Sequence, residues 1–192
     1  MAQPTRADAW TLLCEFTQSD SLRRHALGVE QAMRAMAGKF GGDIEEWGLA
    51  GLLHDFDYER FPTAEDHPYK GNEILSEKGY SESIRDAIMG HAAYTGVPRK
   101  SDMAKALFAV DELVGFIFAV TYVRPSRSIM EVTPKSVRKK LKQLSFAASV
   151  NRQDIVQGME ELNLDPTEHF QFVIDALKER AEELGLKGDG KG

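Results

Sequence analysis

Apolar residues along this chain recur at intervals of three and four, the spacing of one helix face, and no run alternates apolar and polar positions between hairpin turns. The expected fold is all-α. Trp10, Leu13 and Phe16 mark a short first helix, and Ser19-Asp20-Ser21 offers N-cap side chains for a second, from about Leu22 to Phe40, where Gly41-Gly42 can stop it. Asp43 suits the cap of a third helix through Trp47, Leu49, Leu52 and Leu53, which runs into His54-Asp55 and a loop holding Pro62 and Pro68. Shorter helices are expected from about Tyr69 to Lys78 and Ser83 to His91, then a long one from about Asp102. Thr133-Pro134 and Asp165-Pro166 each set a capping side chain before a proline suited to the first helical position, and the last helix should end near Gly185.

Composition narrows the class. With 192 residues the expectation is one compact helical domain. Its parts would be an N-terminal helix at 1–20, a core at 21–123, a helical extension at 124–185 and a mobile tail at 186–192. The formal charge of −6 gives no general attraction to DNA, RNA or anionic lipid, so nucleic acid and membrane are not expected partners. Cys14 stands alone, which excludes an internal disulfide and a thiolate zinc framework. No apolar signal-peptide segment opens the chain, and a cytoplasmic location is expected. The most apolar stretch, Ala106 to Val123, carries Asp111 and Glu112 inside it and reads as a buried helix.

Four polar residues then stand out because their helix faces are oily. Asp111 has Leu107, Phe108, Val114 and Gly115 three or four positions away, and His25 has Leu22, Gly28, Val29 and Ala32 on its face. His54 follows Ala50 and Gly51, and His91 follows Ala87 and Ile88. An isolated buried carboxylate costs several kcal/mol, so Asp111 needs a cationic partner, a set of donors or a metal. A bound cation would also relieve the repulsion of bringing Asp55 near Asp111. Mixed imidazole and carboxylate ligands suit Mn, Fe, Co, Ni or Zn. His169, beside Phe172 and Val173, has no such motif near it and is expected to be a satisfied core histidine.

The order His25, His54-Asp55, Asp111 resembles the H…HD…D signature of the HD-domain superfamily of metal-dependent phosphohydrolases, over roughly Ser21 to Val123. Leu52-Leu-His-Asp is similar to the family's LLHD core, His67-Pro-Tyr-Lys-Gly-Asn-Glu-Ile-Leu to the HPxxGAxIL stretch of the HDIG subgroup, and Ile84 to His91 to the later helix ending in histidine. The resemblance implies that His25, His54, Asp55 and Asp111 hold a divalent metal, and that His67 and His91, with Asp55 bridging, hold a second one in binuclear members. It departs where Phe56-Asp57-Tyr58-Glu59 replaces Ile-Gly-Lys after the HD pair, and where Ala92 stands in place of a second histidine. The Gly-Tyr-Pro motif of the cyclic-dinucleotide enzymes is missing, so their specificity is not carried over.

The implied activity is hydrolysis of a small phosphate ester, such as a nucleotide, with Asp55 and Asp57 orienting the attacking water or taking its proton. Arg24, Lys70 and Arg124 are the candidate phosphate contacts. The basic segment Lys135 to Lys142 backs an apolar stripe of Val137, Leu141 and Leu144, and this helix or the C-terminal one could support a homo-oligomer. A di-iron oxygenase and a non-catalytic nucleotide or metal sensor are the competing readings.

Overall fold

The computed structural model describes residues 4–188. Among them every regular element is helical. The helices are α1 (Arg6–Phe16), α2 (Asp20–Phe40), α3 (Ile44–Leu53), α4 (Tyr69–Glu77), α5 (Glu82–His91), α6 (Asp102–Tyr122), α7 (Pro134–Leu141), α8 (Arg152–Glu161) and α9 (Pro166–Glu179), with short 3-10 turns at Ala93–Thr95 and Ile129–Glu131. No helix of the described residues is long and apolar enough to cross a membrane.

The helix starts follow the capping chemistry. Ser19, Asp43, Thr133 and Asp165 each accept a backbone N–H from the first turn of the helix they precede, and Gly41 ends α2 in the left-handed region at φ 73°. Each such cap contributes about 1 kcal/mol. Two segments differ from expectation. Helix α8, which Asn151 caps, has no marker in the expected pattern. Helix α9 ends at Glu179, because Arg180 leaves helical geometry and its N–H turns back to Leu177 and Lys178. The apolar positions beyond it, Leu184 and Leu186, are buried from turns instead.

The chain divides into two compact units, Met1–Phe108 and Ala109–Gly192, and the division falls inside α6. In the first, α2 and α3 pack closely at Gly51. A Cβ there would come 2.8 Å from the Val29 carbonyl oxygen and 2.9 Å from Met33 Cγ, so only glycine lets the backbones approach. The core of this unit includes Leu13, Met33, Met36, Leu52, Leu53, Phe56 and Ile88, all buried. Glu30, 1% exposed, is clamped by the Arg6 guanidinium at 2.5 and 2.8 Å, which ties α1 to α2.

In the second unit Phe116, Ile117, Val137, Ile155, Val173, Ile174 and Leu177 form the core. Gly158 of α8 lies against Ala109, where a Cβ would come 2.6 Å from its Cα. His169 is buried and its Nε2 contacts the Ala109 carbonyl at 3.0 Å, in keeping with a core histidine. The loop from α7 to α8 is organised by Arg152, whose guanidinium donates to the carbonyls of Leu141, Gln143, Phe146, Ala147 and Val150. Leu186 is secured, since its carbonyl accepts from Ile129 N–H at 2.8 Å and its side chain is fully buried. Lys187 follows with its ammonium 3.1 Å from Glu182, and residues 189–192 of the expected tail lie outside the described residues.

Candidate metal centre

Helix α3 is followed directly by His54 and helix α5 ends in His91, and this sets the site. The last carbonyls of a helix have no intrahelical donor, and a ring N–H at the C-terminus can satisfy one. His54 uses Nδ1 on the Gly51 carbonyl at 2.8 Å, and His91 uses Nδ1 on the Ile88 carbonyl, each three residues back. A carbonyl only accepts, so the hydrogen sits on Nδ1 and Nε2 is turned outward. The carbonyl ends of both helices therefore face the same place, and the partial negative charge of a helix C-terminus favours a cation there.

Asp55 stands at that place. Its Oδ1 is 3.2 Å from His67 Nε2 and 3.1 Å from His91 Nε2, while its Oδ2 is 3.5 Å from His54 Nε2. The rings stack edge to face in sequence, with centroids 5.2 Å apart for His25 and His54, 5.3 Å for His54 and His91, and 5.4 Å for His67 and His91. Two sets of ligand atoms, His25 with His54 and Asp55, and Asp55 with His67 and His91, each lie within 4.8 Å of one another and can hold a metal ion. Asp55 belongs to both.

The donor chemistry fits such ions. His54, His67 and His91 each use Nδ1 on an acceptor, the arrangement that fixes the tautomer and orientation of metal-binding imidazoles through an outer partner. Without a cation, protons take that role. Burial pushes the Asp55 carboxyl up, but the charge of His54 and the hydrogen bonds from His67 and His91 hold it well below the usual carboxylate range. Burial likewise pushes His67 down, and its bonds to Asp55 and Asp57 outweigh this and raise it to about 9. The pocket thus demands positive charge.

The segment after the HD pair is a wiring module. Phe56 is buried edge-on to Phe16 at 5.2 Å, and its carbonyl accepts from Thr17 Oγ1 at 2.9 Å. Asp57 is 1% exposed and accepts from His67 Nδ1 and Gly71 N–H, both at 2.8 Å. Tyr58 covers the His67 ring at 5.3 Å. Glu59 accepts the backbone N–H groups of Gln18 and Ser19 at 2.7 and 3.0 Å, just ahead of α2, the helix that carries His25. The departure from Ile-Gly-Lys is therefore a set of contacts that join the loop to α1, α2 and α4.

Of the expected residues, the structure brings together His25, His54, Asp55, Asp57, His67 and His91. Arg24 is exposed beside His25, and Lys70 is half exposed with its ammonium 3.6 Å from Glu73. Asp111 lies on α6 in the second unit, and Arg124 lies in the same unit just after that helix, its Nε 3.4 Å from Glu131. Tyr94 is a residue that the sequence pattern did not single out. Its hydroxyl donates to the His67 carbonyl at 2.8 Å, a contact between residues 27 positions apart that no local spacing signals.

Residues 22–113, just under half of the chain, match the family model of the HD domain. The match supports the HD superfamily, whose members are typically metal-dependent phosphohydrolases, and the paired His/Asp clusters fit the metal binding that goes with it. No curated protein and no solved structure matches the chain.

Proposed function

We propose that the protein is an HDIG-like, metal-dependent phosphohydrolase acting on a small phosphorylated metabolite such as a nucleotide. The observation that carries the reading is the division of Asp55, with one oxygen turned to His67 and His91 and the other to His54. A carboxylate split in this way suits a bridge between two cations. His25, His54 and Asp55 would hold one ion, joined by Asp111 on the strength of the motif order, and Asp55, His67 and His91 would hold the other.

A divalent transition ion supplies an acidified water near neutral pH and polarises a phosphoryl oxygen. The chain's own residues do the rest. The backbone carbonyls of Gly51 and Ile88 lock His54 and His91 in the tautomer that presents Nε2. Asp55, set between His54 on one side and His67 and His91 on the other, is the group that would orient the attacking water. Arg24, Lys70 and Arg124 are the proposed phosphate contacts, and neutralising each should raise KM more than it lowers kcat.

The test uses the full chain prepared without chelator. Elemental analysis is followed by a screen of nucleoside monophosphates, cyclic nucleotides and simple phosphate esters with added Mn, Co, Ni, Fe or Zn. The expected result is ion-dependent phosphate release that falls by ~100-fold or more in His54→Ala while the circular dichroism spectrum is kept. Iron-dependent oxygen consumption with no phosphate release would replace this reading with an oxygenase. Ion binding with turnover of neither kind would make the protein a sensor.

A further inference from the structure

Asp57 shares the site's neighbourhood but does not face its centre. Both of its oxygens are committed behind the ligand shell, Oδ1 to His67 Nδ1 and Oδ2 to Gly71 N–H, each at 2.8 Å. Gly71 lies in the first turn of α4, where backbone N–H groups have no intrahelical acceptor, and the residue preceding that helix, Pro68, supplies no side-chain cap. Asp57 therefore caps α4 from another part of the chain, and a carboxylate is the favoured charge at a helix N-terminus. The same side chain orients His67, whose ring is held differently from those of His54 and His91. His54 and His91 hold their rings through local carbonyls three residues back, whereas His67 precedes its helix and depends on a residue ten positions earlier.

Gly71 completes the arrangement. A Cβ at this position would come 2.7 Å from Asp57 Cγ, 2.7 Å from Oδ2 and 3.0 Å from Oδ1. The carboxylate is short and buried, so it cannot swing aside as the end of a long side chain would. Asp57 fits against α4 only because residue 71 has no side chain.

We propose that Asp57 is a positioning residue, with Gly71 as the space that admits it, and that this pair determines whether the second ion, held by Asp55, His67 and His91, is bound. The proposal rests on the reading of those three residues as an ion site. Outer partners of metal-bound histidines typically change affinity by ~10–100-fold when removed. Asp57→Ala removes the orienting acceptor and the remote cap together. Asp57→Asn keeps an oxygen for His67 but sets an amide N–H against the Gly71 N–H, so its effect should be intermediate. Gly71→Ala leaves every ligand and Asp57 itself in the sequence, and alanine is the better helix former, yet it displaces the carboxylate.

The experiment is a calorimetric titration of the full chain with Mn²⁺ and with Co²⁺, together with the electron paramagnetic resonance spectrum of the Mn²⁺ form, in which two coupled ions differ from one. Wild type is expected to take two ions and His67→Ala one. Asp57→Ala and Gly71→Ala should weaken the second ion ~10–100-fold and leave the first within about threefold of wild type. The ¹⁵N shifts of the His67 ring in ion-free protein should change in both variants, while those of His54 stay in place, and thermal midpoints report folding. Two ions bound as tightly in both variants as in wild type would overturn the proposal and leave the ion site standing. A wild-type protein that takes fewer than two ions would overturn the ion site itself, and the proposal with it.

Discussion

At the scale of single residues, the molecule puts ionisable groups where their surroundings leave them one role. Tyr80 is 4% exposed, and burial, with the charge of Asp8 added, raises its hydroxyl from about 10 to about 12. A group whose folded pKa is raised supports the fold below its unfolded pKa and withdraws that support as the pH climbs to the folded one. The stability of the protein should therefore fall between pH 10 and pH 12 by about 2 kcal/mol from this residue. Denaturant unfolding at pH 8, 10 and 11 checks this, and Tyr80→Phe should flatten the decline. The histidines illustrate what spacing can reveal. His25, His54 and His91 were legible because each shares a helix face with apolar residues, whereas the partners that orient His54 and His91 are backbone carbonyls, which leave no mark in a sequence. The role of Asp57 was legible only in part. Its nearness to the HD pair was evident, but its bond to Gly71 depends on a turn that no periodicity encodes.

At the scale of elements, capping residues and prolines located most helix starts to within two residues, because those signals are local. Helix α8 and the loop before it escaped for the opposite reason. That loop is held by one guanidinium reaching five carbonyls, and an arginine looks the same in sequence whether it meets water or a loop. The apolar repeat that ran past Glu179 is satisfied by turns, so periodicity overran the end of α9. The packing of α3 on α2 offers a sharper test. Gly51→Ala would wedge the two helices apart at the level of Val29 and Met33, three residues before His54 and against the helix that carries His25. Overpacking of this kind costs about 1–3 kcal/mol. The expected outcome is a lowered denaturant midpoint together with weaker binding of the ion that His25 and His54 share, measured by calorimetry on the folded variant.

At the scale of the whole molecule, the all-α class followed from the pattern of apolar positions, while the division inside α6 did not. An uninterrupted apolar helix has no composition break, so no residue near Phe108 signals where one compact unit ends. All the clustered imidazoles belong to Met1–Phe108, which directs a prediction about metal addition and removal. A ligand at ~100 times its dissociation constant stabilises the state that binds it by about 2.7 kcal/mol. Saturating Mn²⁺ or Co²⁺ should raise the thermal midpoint, excess chelator should reverse the rise, and hydrogen exchange should find the added protection concentrated around α2, α3 and α5.

The two helix ends that meet at Asp55 also impose an order of arrival. Two carbonyl termini and the Asp55 carboxylate meet at one spot, and in the ion-free protein imidazole protons balance them. A phosphate approaching that spot without a cation finds the imidazole N–H groups already engaged by Asp55 and Asp57. The ion is thus an admission requirement as well as a reagent, and binding of a non-hydrolysable phosphate analogue should be ordered behind it.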